Sequence, residues 1–204
     1  MSKFRVYVGE NTERNCDPFF LDSGAHTLYT LKEIHTKHRF NYKWYRSRSF
    51  RKYLDGYAKF LKANKDGIDH YANVDVIFEP ELSWKALKYL EQEHGLNPVP
   101  VIHYNTEMKW VDKHLEAGYD FLGIGGLGQE APKAAYIPWA DTLYKHLGRD
   151  TNGLPCVRTH GFAMTSYDLM IRWPWYSVDS ASWAKAAGFG SILVPHNRRG
   201  EVRF

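Results

Sequence analysis

Short apolar runs alternate with stretches of helical periodicity along most of this 204-residue chain. Such alternation predicts parallel strands covered by helices, because parallel strands need a crossover between them. The predicted strands are Arg5–Val8, Phe19–Leu21, Val74–Ile77, Val99–His103, Phe121–Ile124, Cys156–Thr159, Trp175–Val178 and Ser191–Val194. The predicted helices are Phe50–Ala63, Leu82–His94, Glu107–Ala117, Tyr136–Leu147, Tyr167–Arg172 and Ser182–Ala187. This number of strands favours a closed sheet, so the predicted fold class is α/β, a compact (β/α)8 TIM-type barrel.

The chain is short for such a barrel, which usually needs roughly 250 residues. It ends at Arg203 and Phe204, soon after the last predicted strand. We therefore expect that the closing eighth helix is missing, or that the chain is a truncated relative. No internal repeat or interdomain linker interrupts the pattern, so residues 1–204 are predicted to form a single domain.

Basic residues concentrate in a segment at about 32–65, which carries 11 of the 27 lysines and arginines. Aromatic residues interleave with them, and such a segment can neutralise phosphates and stack on bases. The alternative is a solvated amphipathic helix whose aromatics enter the core. We interpret the segment as an insertion that binds nucleic acid. The residues assigned to phosphate contacts are Lys43, Arg46, Arg48, Arg51 and Lys52.

Two further features narrow the class of protein. No apolar stretch is long enough to span a bilayer and no signal sequence opens the chain, so we expect a cytoplasmic protein without membrane contact. The only cysteines, Cys16 and Cys156, are too few for a zinc site of the four-cysteine or three-cysteine kind. Neither a metal nor a cofactor is expected, and the sequence does not predict an oligomeric state.

Polar residues and glycines follow the apolar runs, where barrel enzymes place their active sites. Each has a structural alternative: a helix cap, an ion pair, a core histidine or a tight turn. Together they predict a site at one rim, since ionisable groups at apolar strand ends are costly unless used or paired. The residues are Asp22, Ser23, Gly24, Asn73, Asp75, His103, Gly125, Gly126, His160, Gly161 and Asp179.

The chemistry that fits this set is displacement at the anomeric carbon of a sugar. One carboxylate attacks and holds the sugar covalently, while a second group moves the proton of the departing and arriving bases. Asp179 and Asp22 are the predicted catalytic pair. Gly125 and Gly126 would let the backbone approach a planar base, because no Cβ stands in the way.

At these residues the sequence resembles the tRNA-guanine transglycosylase superfamily. Asp22-Ser23-Gly24 is similar to its Asp-Ser-Gly-Gly-Phe motif, which implies acid/base chemistry and base binding for Asp22. Asp75 falls where the family has a base-recognising aspartate, and Asp179 where it has the nucleophile. The other matches are His103 at a position usually held by glutamine, Gly123 to Leu127 with the Gly-Gly-Leu loop, and His160-Gly161-Phe162 with the Gly-Val-Gly turn.

The longer pattern looks closest to short phage-encoded members, which are associated with inserting 7-deazaguanine bases into DNA. The resemblance implies that guanine is exchanged for a 7-deazaguanine derivative, with nucleic acid and the free base as partners, in the cytoplasm of a bacterial host. The family's Cys-x-Cys-x-x-Cys…His zinc site and its C-terminal tRNA-binding elements have no match here. DNA is therefore expected rather than tRNA.

Two alternatives stay open. One is a metal-dependent barrel hydrolase that uses His103, His160 and the aspartates as ligands, although a His-x-His motif on the first strand is missing. The other is a barrel that binds nucleic acid without reacting.

Overall fold

The computed structural model describes residues 20–33, 42–126, 133–164, 166–179, 188–190, 194–195 and 202–203. The internal contacts group into two compact units, Met1–Val101 and Ile102–Phe204, and each unit is described by itself. The predicted strand Arg5–Val8 and the predicted helix Ser182–Ala187 lie outside the described residues, as does the stretch 34–41 of the basic segment.

The first unit combines two short parallel strands with three helices. Strand β1 (Phe20–Leu21) pairs with β2 (His70–Tyr71), and a parallel bridge joins Ala72 to Val99. The helices are α1 (Ala25–Glu33), α2 (Arg48–Ala63) and α3 (Pro80–His94). Helix α2 begins at an N-cap, Ser47, and α3 begins with a proline, whose missing N–H costs nothing in the first turn.

Helix α2 packs one of its faces into the core of the first unit. Its apolar positions recur at helical spacing, which places them on one face. That face is buried and consists of Phe50, Leu54, Tyr57, Ala58 and Leu61. The described part of the predicted insertion is therefore a core helix with a short 3-10 turn on each side, Trp44–Arg46 and Lys65–Gly67. Tyr45, Phe50 and Tyr57 are buried, so these rings are unavailable for stacking on bases.

The second unit contains a four-stranded parallel sheet in the order β3-β4-β5-β6. The strands are β3 (Val101–His103), β4 (Phe121–Gly125), β5 (Arg158–Gly161) and β6 (Ser177–Val178). Helices α4 (Met108–Glu116), α5 (Lys133–His146) and α6 (Tyr167–Arg172) follow the first three strands. Ile102, Leu122 and Ile124 pack with buried residues of these helices, so one sheet face meets the helical layer.

The sequence predicted the α/β class and its parallel strands correctly. The described strands form three separate sheets, however, and no closed sheet is seen among them. The last predicted strand is wrong in direction, because β7 (Val194–Pro195) pairs antiparallel with β8 (Val202–Arg203). Asn197 and Gly200 separate these two runs in the sequence, and both residue types favour turns.

The predicted strand Val74–Ile77 is also wrong. The paired residues come earlier, at His70–Tyr71, and the following apolar run is buried without strand pairing. The Ser83 hydroxyl accepts a hydrogen bond from Val76 N at 2.8 Å and lies 3.1 Å from Val76 O. A side chain thus satisfies the backbone groups that a neighbouring strand would otherwise bind.

None of the helices in the described part of the chain combines the length and apolarity needed to cross a lipid bilayer.

Candidate active site

The carboxyl ends of β1 and β2 bring four of the predicted site residues into one unit. Phe20 pairs with His70 and Leu21 with Tyr71, so the residues after each strand emerge at the same edge. We call Asp22, Ser23, Asn73 and Asp75 the acidic cluster. Asp22 is exposed, whereas Ser23, Asn73 and Asp75 are buried.

Two tyrosines of α2 fix the backbone beneath the acidic cluster. Tyr53 OH donates to Ser23 O at 3.0 Å, and Tyr57 OH donates to Ala72 O at 2.8 Å. Burial raises the pKa of both hydroxyls, and the charge of Asp22 raises the pKa further. Both therefore remain protonated donors at neutral pH. This role was not predicted from the sequence, although the spacing of Tyr53 and Tyr57 places them on one helix face.

Two buried polar atoms of the acidic cluster lack a hydrogen bond among the described residues, Ser23 Oγ and Asn73 Oδ1. The Asn73 amide is oriented by its Nδ2 group, which donates to Ser83 O at 2.9 Å. Leaving such an atom unsatisfied costs about 1–3 kcal/mol. A polar ligand that donates to Asn73 Oδ1 and pairs with the Ser23 hydroxyl would remove this cost.

Gly24 has a backbone reason to be glycine. Its φ of +74° lies in the left-handed region, which side chains with a Cβ rarely adopt. Gly24 O accepts from Leu28 N at 3.1 Å and so opens helix α1. The Asp-Ser-Gly sequence is thus the turn between β1 and a helix that the sequence analysis did not predict.

The second unit gathers the other predicted polar residues on one face of its sheet. Gly123 pairs in register with His160, and His160 with Ser177, so these positions share a face. Gly125 shares it because alternate residues of a strand point to the same side. Thr159 points to the opposite face, where its hydroxyl bonds the Tyr144 hydroxyl at 2.8 Å. We call His103, His160, Ser177 and Asp179 the histidine cluster.

The His103 ring lies directly over Gly125. A Cβ added to Gly125 would stand 3.0 Å from His103 Cε1 and 3.1 Å from Nδ1. Contacts this short are tighter than nine in ten real Cβ contacts, so a side chain at this position would push the His103 ring away by a few tenths of an ångström. Gly126 follows with a φ of +81°. At Gly125 the close neighbour is the His103 ring, and the approach of a planar base to Gly125 and Gly126 stays a prediction.

Gly125→Ala should displace the His103 ring and destabilise the protein by about 1–3 kcal/mol, the usual cost of overpacking. The measurements are the melting temperature and the NMR shifts of the His103 imidazole. Gly56→Ala is the matched control, because a Cβ there meets open space in α2. It should stabilise by up to about 1 kcal/mol through helix propensity. A Gly125→Ala protein as stable as the wild type, with an unmoved His103 ring, would contradict the close contact.

Asp179 follows β6 and is held by the turn after β5. Its Oδ1 accepts from Ala163 N at 2.6 Å, and its own N donates to Gly161 O at 3.2 Å. His160 Nε2 lies 3.7 Å from the same Oδ1. The side chain is nevertheless 55% exposed. One oxygen thus faces the protein while the remainder is open to a ligand.

The environment of Asp179 opposes its ionisation. Desolvation by the surrounding protein raises the pKa of this carboxyl, and the hydrogen bond from Ala163 N lowers it in part. Ala163 itself has a φ of 53°, a left-handed conformation that is uncommon for a residue with a Cβ. Local backbone strain of this kind often occurs at functional sites.

Gly161 has a packing role in the structure. A Cβ there would lie 3.2 Å from Trp175 Cε3 and 3.3 Å from Val178 Cγ1. This contact explains the glycine without the substrate binding that the sequence predicted for it.

All five predicted phosphate-binding residues are exposed: Lys43, Arg46, Arg48, Arg51 and Lys52. The Arg51 guanidinium lies over the Tyr89 ring, 5.1 Å from its centroid. Among the described residues, no group of three or more His, Cys, Asp or Glu could hold a metal ion. Cys156 is a free, exposed thiol, and Cys16 lies outside the described part.

The structure therefore brings the predicted residues together within each unit. Asp22, Ser23, Asn73 and Asp75 meet in one, and His103, Gly125, His160 and Asp179 share a sheet face or its carboxyl edge in the other. The pairing of Asp22 with Asp179 stays a prediction. Comparisons with protein-family models, with curated proteins and with solved structures find no match.

Proposed function

We propose that this protein is a base-exchange transglycosylase that replaces guanine in nucleic acid, DNA rather than tRNA, with a 7-deazaguanine derivative. The main observation behind the proposal is the position, hydrogen bonding and exposure of the Asp179 side chain. Its carboxylate stands at a strand end, Oδ1 is fixed by Ala163 N–H, and most of the side chain is exposed. This arrangement suits a nucleophile, which needs one oxygen oriented and the other accessible.

In the proposed reaction, Asp179 Oδ2 forms a bond to the anomeric carbon while the bond from that carbon to guanine breaks. The departing base takes a proton from Asp22. The incoming 7-deazaguanine then returns a proton to Asp22 and displaces Asp179 from the sugar. Two displacements at one carbon retain its configuration, as in retaining glycosidases.

The acidic cluster is proposed to bind the base. Asn73 Oδ1 and the Asp75 carboxylate are acceptors, and the Ser23 hydroxyl can accept or donate. The N–H groups on the edge of a guanine-like base are complementary to such a set. A base without these donors would leave buried acceptors unpaired, which a polar site rejects strongly.

The nucleic-acid backbone is proposed to lie along the exposed face of α2. Arg48, Lys52 and Lys59 project from the side opposite the buried face, and Arg51 and Lys62 flank them. Over 16 residues the helix extends about 24 Å. Its single acid, Asp55, accepts a hydrogen bond from Tyr89 OH at 2.8 Å. A strip of this charge favours a chain of phosphates as its partner.

Arg48→Ala/Lys52→Ala should weaken nucleic-acid binding and make it less dependent on salt. Each lost phosphate contact should reduce the slope of log affinity against log salt by roughly 0.7–0.9. Arg51 is left intact because it also packs on Tyr89. Titrations of labelled DNA at several salt concentrations measure the slope.

The control for this double variant is Lys85→Ala/Lys109→Ala, which removes the same charge from exposed positions on α3 and α4. It should leave the slope nearly unchanged. Equal effects of the two double variants would show that binding depends only on the net charge of the protein, and would contradict phosphate contacts on α2.

The direct test incubates the purified protein with DNA or tRNA containing labelled guanine, together with a 7-deazaguanine base. We expect release of label from DNA and incorporation of the added base. Binding without release would support the non-reacting alternative. Release that requires an added divalent metal would support the hydrolase. The closed (β/α)8 barrel belongs to this same proposal, and an experimental structure in which the parallel strands stay in an open sheet would contradict it.

A further inference from the structure

His160 lies between a hydroxyl and the proposed nucleophile within the second unit. Its Nδ1 is 2.8 Å from Ser177 Oγ, and its Nε2 is 3.7 Å from Asp179 Oδ1. The ring is buried, and the edge-on ring of Phe162 packs against it with centroids 4.7 Å apart. The imidazole is thus anchored by the Ser177 contact at Nδ1 and packed across its face by Phe162, which leaves Nε2 within ion-pair distance of Asp179.

The contact with Ser177 influences which ring nitrogen of His160 carries a hydrogen. If the Ser177 hydroxyl donates to Nδ1, the neutral ring carries its hydrogen on Nε2. If the ring is cationic, Nδ1–H donates to Ser177 Oγ and Nε2 again carries a hydrogen. In both states the nitrogen that lies 3.7 Å from Asp179 Oδ1 carries a hydrogen. A bare Nε2 would instead set a lone pair against the carboxylate.

We infer that His160, oriented by Ser177, is a positioning residue that keeps Asp179 ionised and directs its Oδ2 toward the sugar. The inference rests on the proposed base exchange. Both His160 and Ala163 N–H act on Oδ1, and this leaves Oδ2 as the attacking oxygen. The imidazole keeps its protons throughout. The carboxylate charge is lost when the ester bond to the sugar forms and returns when the incoming base displaces Asp179.

This role answers a specific difficulty at Asp179. Its surroundings raise the pKa of the carboxyl, so a nucleophile at this position needs a nearby donor to remain anionic. Two other titratable side chains on this sheet face, among the residues that the structure describes, have different neighbours. His103 stands over Gly125 at the end of β4, and Arg158, at the start of β5, bonds Asp120 at 3.0 Å.

The test compares the wild type with His160→Ala, His160→Gln and Ser177→Ala. Two quantities are measured: the pH profile of covalent adduct formation with guanine-containing DNA, and the NMR titration of the Asp179 carboxyl without nucleic acid. In His160→Ala the pKa of Asp179 should rise by about one unit. At pH values below this pKa, the ionised fraction of Asp179 and the rate of adduct formation should therefore fall about tenfold. His160→Gln, with a neutral N–H donor, should restore part of the shift.

Ser177→Ala should also raise the pKa of Asp179, but by less than His160→Ala does. If the His160 variants fail to fold, the inference is tested with Ser177→Ala alone. The matched control is Thr159→Val, which removes a buried hydroxyl from the neighbouring position on the helix-covered face. It should lower stability without moving the titration of Asp179.

An Asp179 titration that is unchanged in folded His160 and Ser177 variants would overturn the inference. The failure of the proposed function looks different. A wild-type protein that shows the coupling but forms no adduct would refute base exchange, whereas an adduct without the coupling would refute only the role of His160.

Discussion

Asp179→Asn should abolish base exchange and adduct formation while leaving base binding largely intact. The amide keeps the size of the side chain and can still accept from Ala163 N, which lies 2.6 Å from Oδ1 in the wild type. It lacks the anionic oxygen that forms the bond to the sugar. Single-turnover assays with labelled guanine measure the loss, and equilibrium binding of the free base provides the reference.

The same substitution should not lower thermal stability at neutral pH. Partial desolvation of this half-exposed carboxyl raises its pKa, so the folded state favours the protonated form. At pH values above the pKa of Asp179 in the folded state, the ionised carboxylate therefore opposes folding. At pH values below the pKa of Asp179 in the unfolded state, this effect is absent. Relative to the wild type, the melting temperature of the Asn variant should rise as pH increases through this range and then level off.

These two measurements on one variant separate catalysis from structure. A structural partner would give the opposite order: stability would fall first, and activity would fall with it. A stable Asp179→Asn protein that still exchanges bases would remove Asp179 from the catalytic role, and Asp22 would become the leading candidate for the nucleophile.

Asp22→Asn should slow base exchange by about 10²–10⁴, the usual effect of a lost acid/base group. The amide cannot transfer the proton, so a departing base with a lower N9 pKa should be slowed less than guanine. Rates with a series of leaving bases measure this dependence. Asp66→Asn removes a charge from an exposed position of the same unit and should leave the rate unchanged. If Asp22→Asn exchanged bases at the wild-type rate, Asp22 would be excluded as the group that transfers the proton.

The sequence predicted those parts of the fold that depend on local periodicity. Helix Tyr167–Arg172 has the predicted bounds, and the helix that ends at His94 begins only two residues before its prediction. Strand β4 was found because its apolar residues are contiguous and are followed by glycines. In each case neighbouring residues carry the whole signal.

Features that depend on long-range contacts were missed or misplaced. The burial of residues 74–77 resembles that of a strand, but their backbone is bound by Ser83 of the next helix. The bonds from Tyr53 and Tyr57 to the ends of β1 and β2 join residues 30 and 15 positions apart. The contact of His160 with Ser177 likewise requires the register of two strands, which no single segment specifies.

The central claim is that Asp179 carries the sugar during base exchange. The most direct measurement is intact-mass analysis of the denatured protein after reaction with guanine-containing DNA, followed by peptide mapping of the modified site. We expect a protein–DNA adduct, released guanine and a modification on the peptide that contains Asp179. Base exchange without a trapped adduct under these conditions, or an adduct on a different residue, would contradict it.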